Sequence, residues 1–247
     1  MLYDLQNKVA LITGGSRGLG AAISRALAQR GANVAINYLN RSEDAKALQL
    51  DITEGGGNCE IFQGDVTDEN EIIKLCDAVV KRFGPIDILV LNATLIHVHK
   101  PIEKLVWRDM LDHLEFFVKS PLLLVQQVLP SMKERRSGRI INIGSEVFEQ
   151  GIPGFCNYVS AKGAQLGLTR SWANELGPYQ ITVNLVAPGW IPTEMHRDDP
   201  EEMKVNYAEN VPLKRMGDPK LEEENLADKP RMILFLFLLV SFYNYGV

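Results

Sequence analysis

The chain has 247 residues, 46% of them hydrophobic, which suits one α/β domain with a sizeable core. A net charge of −5 gives no general support for nucleic-acid binding. Cys59, Cys76 and Cys156 are scattered without metal or redox spacing, so reduced thiols are expected.

Near the N-terminus there is no signal-peptide pattern, which suits a cytoplasmic chain. Residues 9–13 read as a short apolar strand, followed by Thr13-Gly-Gly-Ser-Arg-Gly-Leu-Gly20 and a helix over 21–30. Strand, glycine turn and helix N-terminus make a phosphate-binding unit. Glycine lets the backbone approach a pyrophosphate, and the helix end supplies N–H donors and positive potential. Gly14, Ser16, Arg17, Gly18, Leu19 and Gly20 are its candidate contacts. A second strand spans 33–38. An acidic residue near its end would bind the adenosine ribose hydroxyls and favour NAD. That position holds Asn37, which does not repel a 2′-phosphate, and Arg17 and Arg41 are guanidinium candidates to bind one. NADPH/NADP is therefore expected, with NAD as the alternative; Arg41 reads equally as a solvated loop charge.

A helix over 42–53 ends at Gly55-Gly-Gly57, and a strand over 59–63 leads to Gly64-Asp-Val66. A helix over 69–83 is broken by Gly84-Pro85, and a strand over 86–91 opens into Asn92-Ala-Thr-Leu95. This alternation indicates a single Rossmann-like α/β domain, a doubly wound parallel sheet with helices on both faces. His97 and His99 lack a carboxylate or cysteine partner and read as solvated loop residues, so no metal is expected. Helices are expected over 101–117 and 121–135, then a buried strand over 139–144.

Ser145 follows that strand, at the carboxyl end where open α/β sheets place ligands. Tyr158 and Lys162 share one helix face at i, i+4. A neighbouring ammonium lowers a phenol's pKa from about 10, so such a tyrosine can exchange a proton with a carbonyl or alcohol oxygen. Residues 178–186 carry a sixth strand, and 194–213 are polar and lid-like.

Ser145, the Tyr158/Lys162 pair and the Gly14-x-x-x-Gly18-x-Gly20 turn together resemble the short-chain dehydrogenase/reductase family over residues 5–217. Within it the chain most resembles the 3-oxoacyl-[acyl-carrier-protein] reductases of fatty acid biosynthesis. The resemblance implies that Tyr158 is the catalytic acid/base, that Lys162 lowers its pKa and holds the nicotinamide ribose, and that Ser145 polarises the substrate oxygen. It implies adenine contacts at Asp65 and Val66 and cofactor contacts at Asn92 and Ala93, with Thr94 replacing the family's glycine. Pro188, Gly189, Ile191 and Thr193 would line the nicotinamide site, Thr193 meeting the carboxamide.

The implied reaction is NADPH-dependent reduction of a small-molecule or acyl-thioester carbonyl. An NAD-dependent alcohol, sugar or steroid dehydrogenase and a catalytically weak cofactor-binding protein are the alternatives. Lys133, Arg135 and Arg136 are either a favourable helix end or a contact for an acyl carrier protein. A homodimer or homotetramer is implied, pairing through 118–135 and 158–176. Counting back from Gly138, the family's catalytic asparagine falls on Phe117; counting forward from Trp107, it falls on Leu114. Pro121 has no N–H for the Phe117 carbonyl, so it either keeps a kink with that carbonyl free beside Lys162, or opens a new helix. The resemblance fades over 220–247, where the last edge strand is expected to be missing. The apolar run 232–242 is too short for a membrane span and reads as a buried helix.

Overall fold

The computed structural model describes residues 4–97 and 99–217. The expectations for residues 220–247, including the missing edge strand and the buried helix, lie outside the described residues.

Six strands form one parallel sheet: β1 (Val9–Ile12), β2 (Asn33–Tyr38), β3 (Asn58–Gln63), β4 (Ile88–Leu91), β5 (Gly138–Ile143) and β6 (Ile181–Val186). Their order is β3-β2-β1-β4-β5-β6, with Leu11 opposite Ala35 on one side and Leu89 on the other. The strands run as apolar stretches because both faces are covered. Successive side chains alternate between faces. Val9, Leu11, Leu89, Ile140 and Val183 pack against one helical layer: α3 (Glu69–Phe83), α5 (Ser120–Arg135) and the end of α7 (Cys156–Leu176). Ala10, Ile12, Ile36, Val90 and Ile141 pack under α1 (Gly18–Ala28) and α2 (Ser42–Glu54). Strand order reverses between β1 and β4, so a crevice opens at their carboxyl ends, beside Thr13 and Asn92.

The expected helix over 101–117 is in fact two pieces. A 3₁₀ turn (Ile102–Lys104) precedes α4 (Trp107–Leu114). Asp109 sets the start of α4 by accepting the Val106 N–H at 2.8 Å and the Lys100 ammonium at 2.5 Å. A π-helical turn, Glu115–Lys119, joins α4 to α5, and the Ser120 N–H donates to the Glu115 carbonyl. Pro121 lies in the first turn of α5. Pro121 thus opens a helix, as its second reading has it, and the backbone just before it is irregular. Two short helices complete the order: α6 (Val147–Gln150) and α8 (Glu201–Asn210), within the segment expected to act as a lid.

The basic end of α5 is committed to its own chain. Arg135 pairs with Asp87 at 2.5 Å, Arg136 donates to the Pro178 carbonyl at 2.7 Å, and the Lys133 ammonium lies 4.7 Å from the Tyr179 ring centre. Among the described residues no helix is long and apolar enough to cross a membrane, and no group of three or more potential metal-binding side chains occurs.

Candidate active site

The glycine turn is built by close approach. Gly14 and Gly18 hold φ of +59° and +52°, a region that favours glycine. A Cβ on Gly20 would collide with the Gly14 carbonyl and lie 2.6 Å from Asn92 Nδ2. Asn92 braces the turn from β4 by donating to the Thr13 and Gly14 carbonyls, each at 3.0 Å. The Thr13 hydroxyl accepts the Asn92 and Ala93 N–H groups at 3.0 Å. The turn therefore presents backbone and the start of α1 to the crevice, the arrangement a pyrophosphate requires.

Asn37 does not face the crevice as the sequence suggested. It is 2% exposed, accepts the Gly14 N–H at 3.3 Å and donates to the Gly64 carbonyl at 2.9 Å. It braces the turn and leaves no carboxylate there. Arg17 precedes α1 and makes no capping bond, while Arg41 is exposed, 4.0 Å from Asp44. Asp65 accepts the Thr67 N–H and hydroxyl at 2.8 and 2.7 Å, and Val66 is buried beside it. Ser16 is buried in the turn, with Leu19 packed against the core at the start of α1.

On the far side, the Glu146 N–H donates to the Pro188 carbonyl at 3.2 Å. Tyr207 of α8 donates to Glu146 at 2.7 Å and accepts the Trp190 N–H at 2.8 Å, fastening the segment after Thr193 to this floor. A Cβ on Gly189 would strike the same hydroxyl. Thr193 closes over the glycine turn, its methyl 3.2 Å from where a Gly18 Cβ would sit. The expected contacts Pro188, Gly189, Ile191 and Thr193 thus belong to one loop, of which Thr193 faces Gly18.

Tyr158 lies in the first turn of α7, with the Ser145 hydroxyl beside its phenol. Burial raises its pKa, and the Ser145 hydroxyl offsets part of that rise. Lys162, expected to pull this value down, points elsewhere. Its ammonium donates to the Ile143 carbonyl at 2.6 Å and to Gln165 Oε1 at 3.2 Å. It lies 3.9 Å from the Phe117 ring centre and 5.7 Å from that of Tyr158. Burial lowers Lys162 to about 7.

Gln165 is fixed in turn by donating to Asn142 Oδ1 at 3.3 Å, and Asn142 donates to Thr169 at 3.0 Å. A small cavity of about 10 Å³, near the lower limit for one water molecule, is lined by Thr13, Phe117, Ser120, Pro121 and Gln165 among others. The Phe117 ring therefore shapes the lysine's surroundings. Sequence reasoning missed Gln165, although its i+3 spacing from Lys162 was a readable signal.

His97 corrects a second expectation. It is not a solvated loop residue: its ring lies on that of Tyr158, with centroids 3.7 Å apart. His113, 4% exposed, stands behind it. No spacing in the sequence joins these three residues.

A half-buried tyrosine beside a serine, at the carboxyl end of a parallel sheet and across from a glycine turn, defines a nicotinamide-dependent oxidoreductase site. Residues 8–204 match the family model for short chain dehydrogenases, and the chain belongs to that family. Two relatives are named "3-oxoacyl-[acyl-carrier-protein] reductase FabG". The one from Staphylococcus epidermidis is 38% identical over 214 residues, 86% of each chain. That from Vibrio cholerae is 37% identical over 219 residues, 88% of this chain and 87% of its own. Among solved structures, a short-chain dehydrogenase/reductase from Serratia marcescens is 34% identical with a TM-score of 0.82, covering 92% of this chain and 90% of its own. A blue fluorescent protein from a metagenomic library, solved in complex with NADPH, is 34% identical with a TM-score of 0.81, covering 91% of each chain. The chain is an NAD(P)-dependent oxidoreductase of the kind that interconverts carbonyl and alcohol.

Proposed function

We propose that this enzyme uses NADPH to reduce a ketone of the 3-oxoacyl-thioester type to its alcohol. The observation that carries the reading is the Ser145–Tyr158 pair facing a turn that only glycine can form. The substrate class rests on the relatives' names and the preference for NADPH on Arg17, Arg41 and the missing carboxylate at Asn37, with the NADPH-bound neighbour in support.

When bound, the nicotinamide supplies the hydride. Ser145 donates to the ketone oxygen and polarises it. Tyr158 gives its phenolic proton to that oxygen as the C–H bond forms, so the products are the alcohol and a tyrosinate that regains its proton before the next turnover. High burial keeps Tyr158 protonated at neutral pH, the state that reduction requires. The turn 14–20 and the start of α1 hold the pyrophosphate; Asp65 and Val66 meet adenine; Asn92, Ala93, Pro188, Gly189, Ile191 and Thr193 surround the nicotinamide side. Lys162 is the candidate for the ribose, which it would reach by leaving the Ile143 carbonyl to which it donates here, and 194–213 covers the substrate. An acyl carrier protein is a candidate donor of the acyl group.

Lys162 turned onto Ile143 and Phe117 favours a second reading, a protein that binds the cofactor and turns over slowly. Assay of acetoacetyl thioesters and a wider carbonyl panel, with NADPH and NADH, separates the two. Thioester reduction with NADPH is the expected result. Tight NADPH binding without turnover of any carbonyl would establish the second reading.

A further inference from the structure

Two departures from the family pattern, Thr94 and Phe117, meet at one imidazole. His97 Nε2 lies 3.3 Å from the Thr94 hydroxyl, and its ring centre is 6.1 Å from that of Phe117. Its Nδ1 lies 3.4 Å from His113 Nε2. His113 Nδ1 lies 3.0 Å from the Asp109 carbonyl. A carbonyl only accepts, so this nitrogen carries the proton and His113 Nε2 offers a lone pair. Asn157 Nδ2 is also 3.2 Å from His113 Nδ1, but the Asp109 contact is the shorter. His97 therefore donates from Nδ1 to His113 and turns Nε2 toward the Thr94 hydroxyl, which itself lies 3.3 Å from the Leu95 carbonyl. The two histidine ring centres are 5.6 Å apart, which places the nitrogens between them nearly on the line of centres. That is the geometry of a hydrogen bond. Two ligands of one metal ion would instead converge on it at about 2.0–2.1 Å.

We propose that His97 is a positioning residue for Tyr158: locked by His113 and Thr94, its ring lies on the phenol, holds it against Ser145 and keeps water from it. The inference rests on the reading of Tyr158 as proton donor.

Charge follows from the same geometry. Burial, with His113, Lys162 and His196 nearby, pushes His97 down to about 3, so the ring on Tyr158 is neutral. A neutral cover desolvates the phenol without adding a positive charge that would stabilise tyrosinate. Among the described residues, the titratable groups facing Tyr158 are His97 from the loop after β4, His113 from α4 and Lys162 from its own helix; the Ser145 hydroxyl faces it from the loop after β5. Removing the cover admits water to the phenol and lowers its pKa.

The test titrates Tyr158 directly. Tyrosinate absorbance is recorded for the full chain and for its Tyr158→Phe variant, and the difference isolates this phenol; the same pair is then made with His97→Ala. The expected result is a midpoint about one unit lower in the His97→Ala background. His97→Phe, which keeps a ring on the phenol, should return the midpoint close to that of the parent. Kinetics supply the second readout: in His97→Ala, kcat falls about tenfold while the KM for NADPH is unchanged. An unmoved midpoint in His97→Ala would overturn the proposal, as would a His97→Phe midpoint as low as that of His97→Ala. If His97→Ala does not fold, His97→Gln replaces it, with the same expected and contradicting results. The absorbance readout needs no turnover, so its failure is distinct from failure of the proposed reaction, which Tyr158→Phe tests by activity.

Discussion

Replacing Phe117 with leucine probes the largest departure from the family. Phe117 is 1% exposed, and its ring centre lies 3.9 Å from the Lys162 ammonium. Leucine keeps the site apolar but loses ring contacts, costing about 1–2 kcal/mol of packing. It also removes a desolvated cation–π contact worth about 1–2 kcal/mol. The combined loss is about 2–4 kcal/mol, with Tm falling by roughly 2–4 °C per kcal/mol for a chain of this size. The two parts separate by pH. Unfolded, the lysine keeps its proton up to its ordinary 10.5; folded, it releases it near 7. Wild-type stability from this group is therefore lowest below pH 7 and rises toward 10.5, where the unfolded chain binds more protons. The cation–π contact exists only while the folded lysine is charged. Urea unfolding followed by circular dichroism at pH 6 and pH 9 should show the Phe117→Leu loss about 1 kcal/mol larger at pH 6. Equal losses at both pH values would refute a charged Lys162 packed on this ring.

Gly20→Ala should lower stability by about 1–3 kcal/mol and weaken NADPH binding at least tenfold, since the atoms its methyl meets include fixed backbone. Calorimetry with and without cofactor reads both effects; an unchanged affinity would mean that the turn does not hold the pyrophosphate. Arg17→Ala should raise the KM for NADPH by about tenfold and leave that for NADH nearly unchanged, as expected for loss of a charged contact to the 2′-phosphate. Equal weakening of both, or better use of NADH by the parent, would remove the expected preference. Light scattering at micromolar concentration should report a dimer or tetramer built through α5 and α7, and a monomer would contradict that pairing.

The sheet was legible because strands buried on both faces read as unbroken apolar runs, such as Val9–Ile12 and Ile88–Leu91. Ser145, Tyr158 and the glycine turn were legible because each is defined by local spacing. Asn37 was misread as facing the cofactor. Within β2 it alternates with Ile36, and its burial beside Gly14 and Gly64 follows from turns arriving from β1 and β3. His97 and His113 were invisible because their contacts join a loop, α4 and α7, and no helical or strand period links them. The π-helical turn was half visible: Pro121 signalled disturbed helix bonding, but the extra residue in the turn depends on packing between α4, α5 and α7.

The central claim is that Tyr158 delivers the proton that completes carbonyl reduction. Single-turnover oxidation of NADPH by acetoacetyl thioester, comparing the parent with Tyr158→Phe, measures this most directly. Phenylalanine keeps the ring and its stack on His97 but removes the hydroxyl. The account predicts a fall in the rate of about 10²–10⁴-fold with NADPH affinity unchanged. A Tyr158→Phe variant that oxidises NADPH at close to the parent's rate would contradict it.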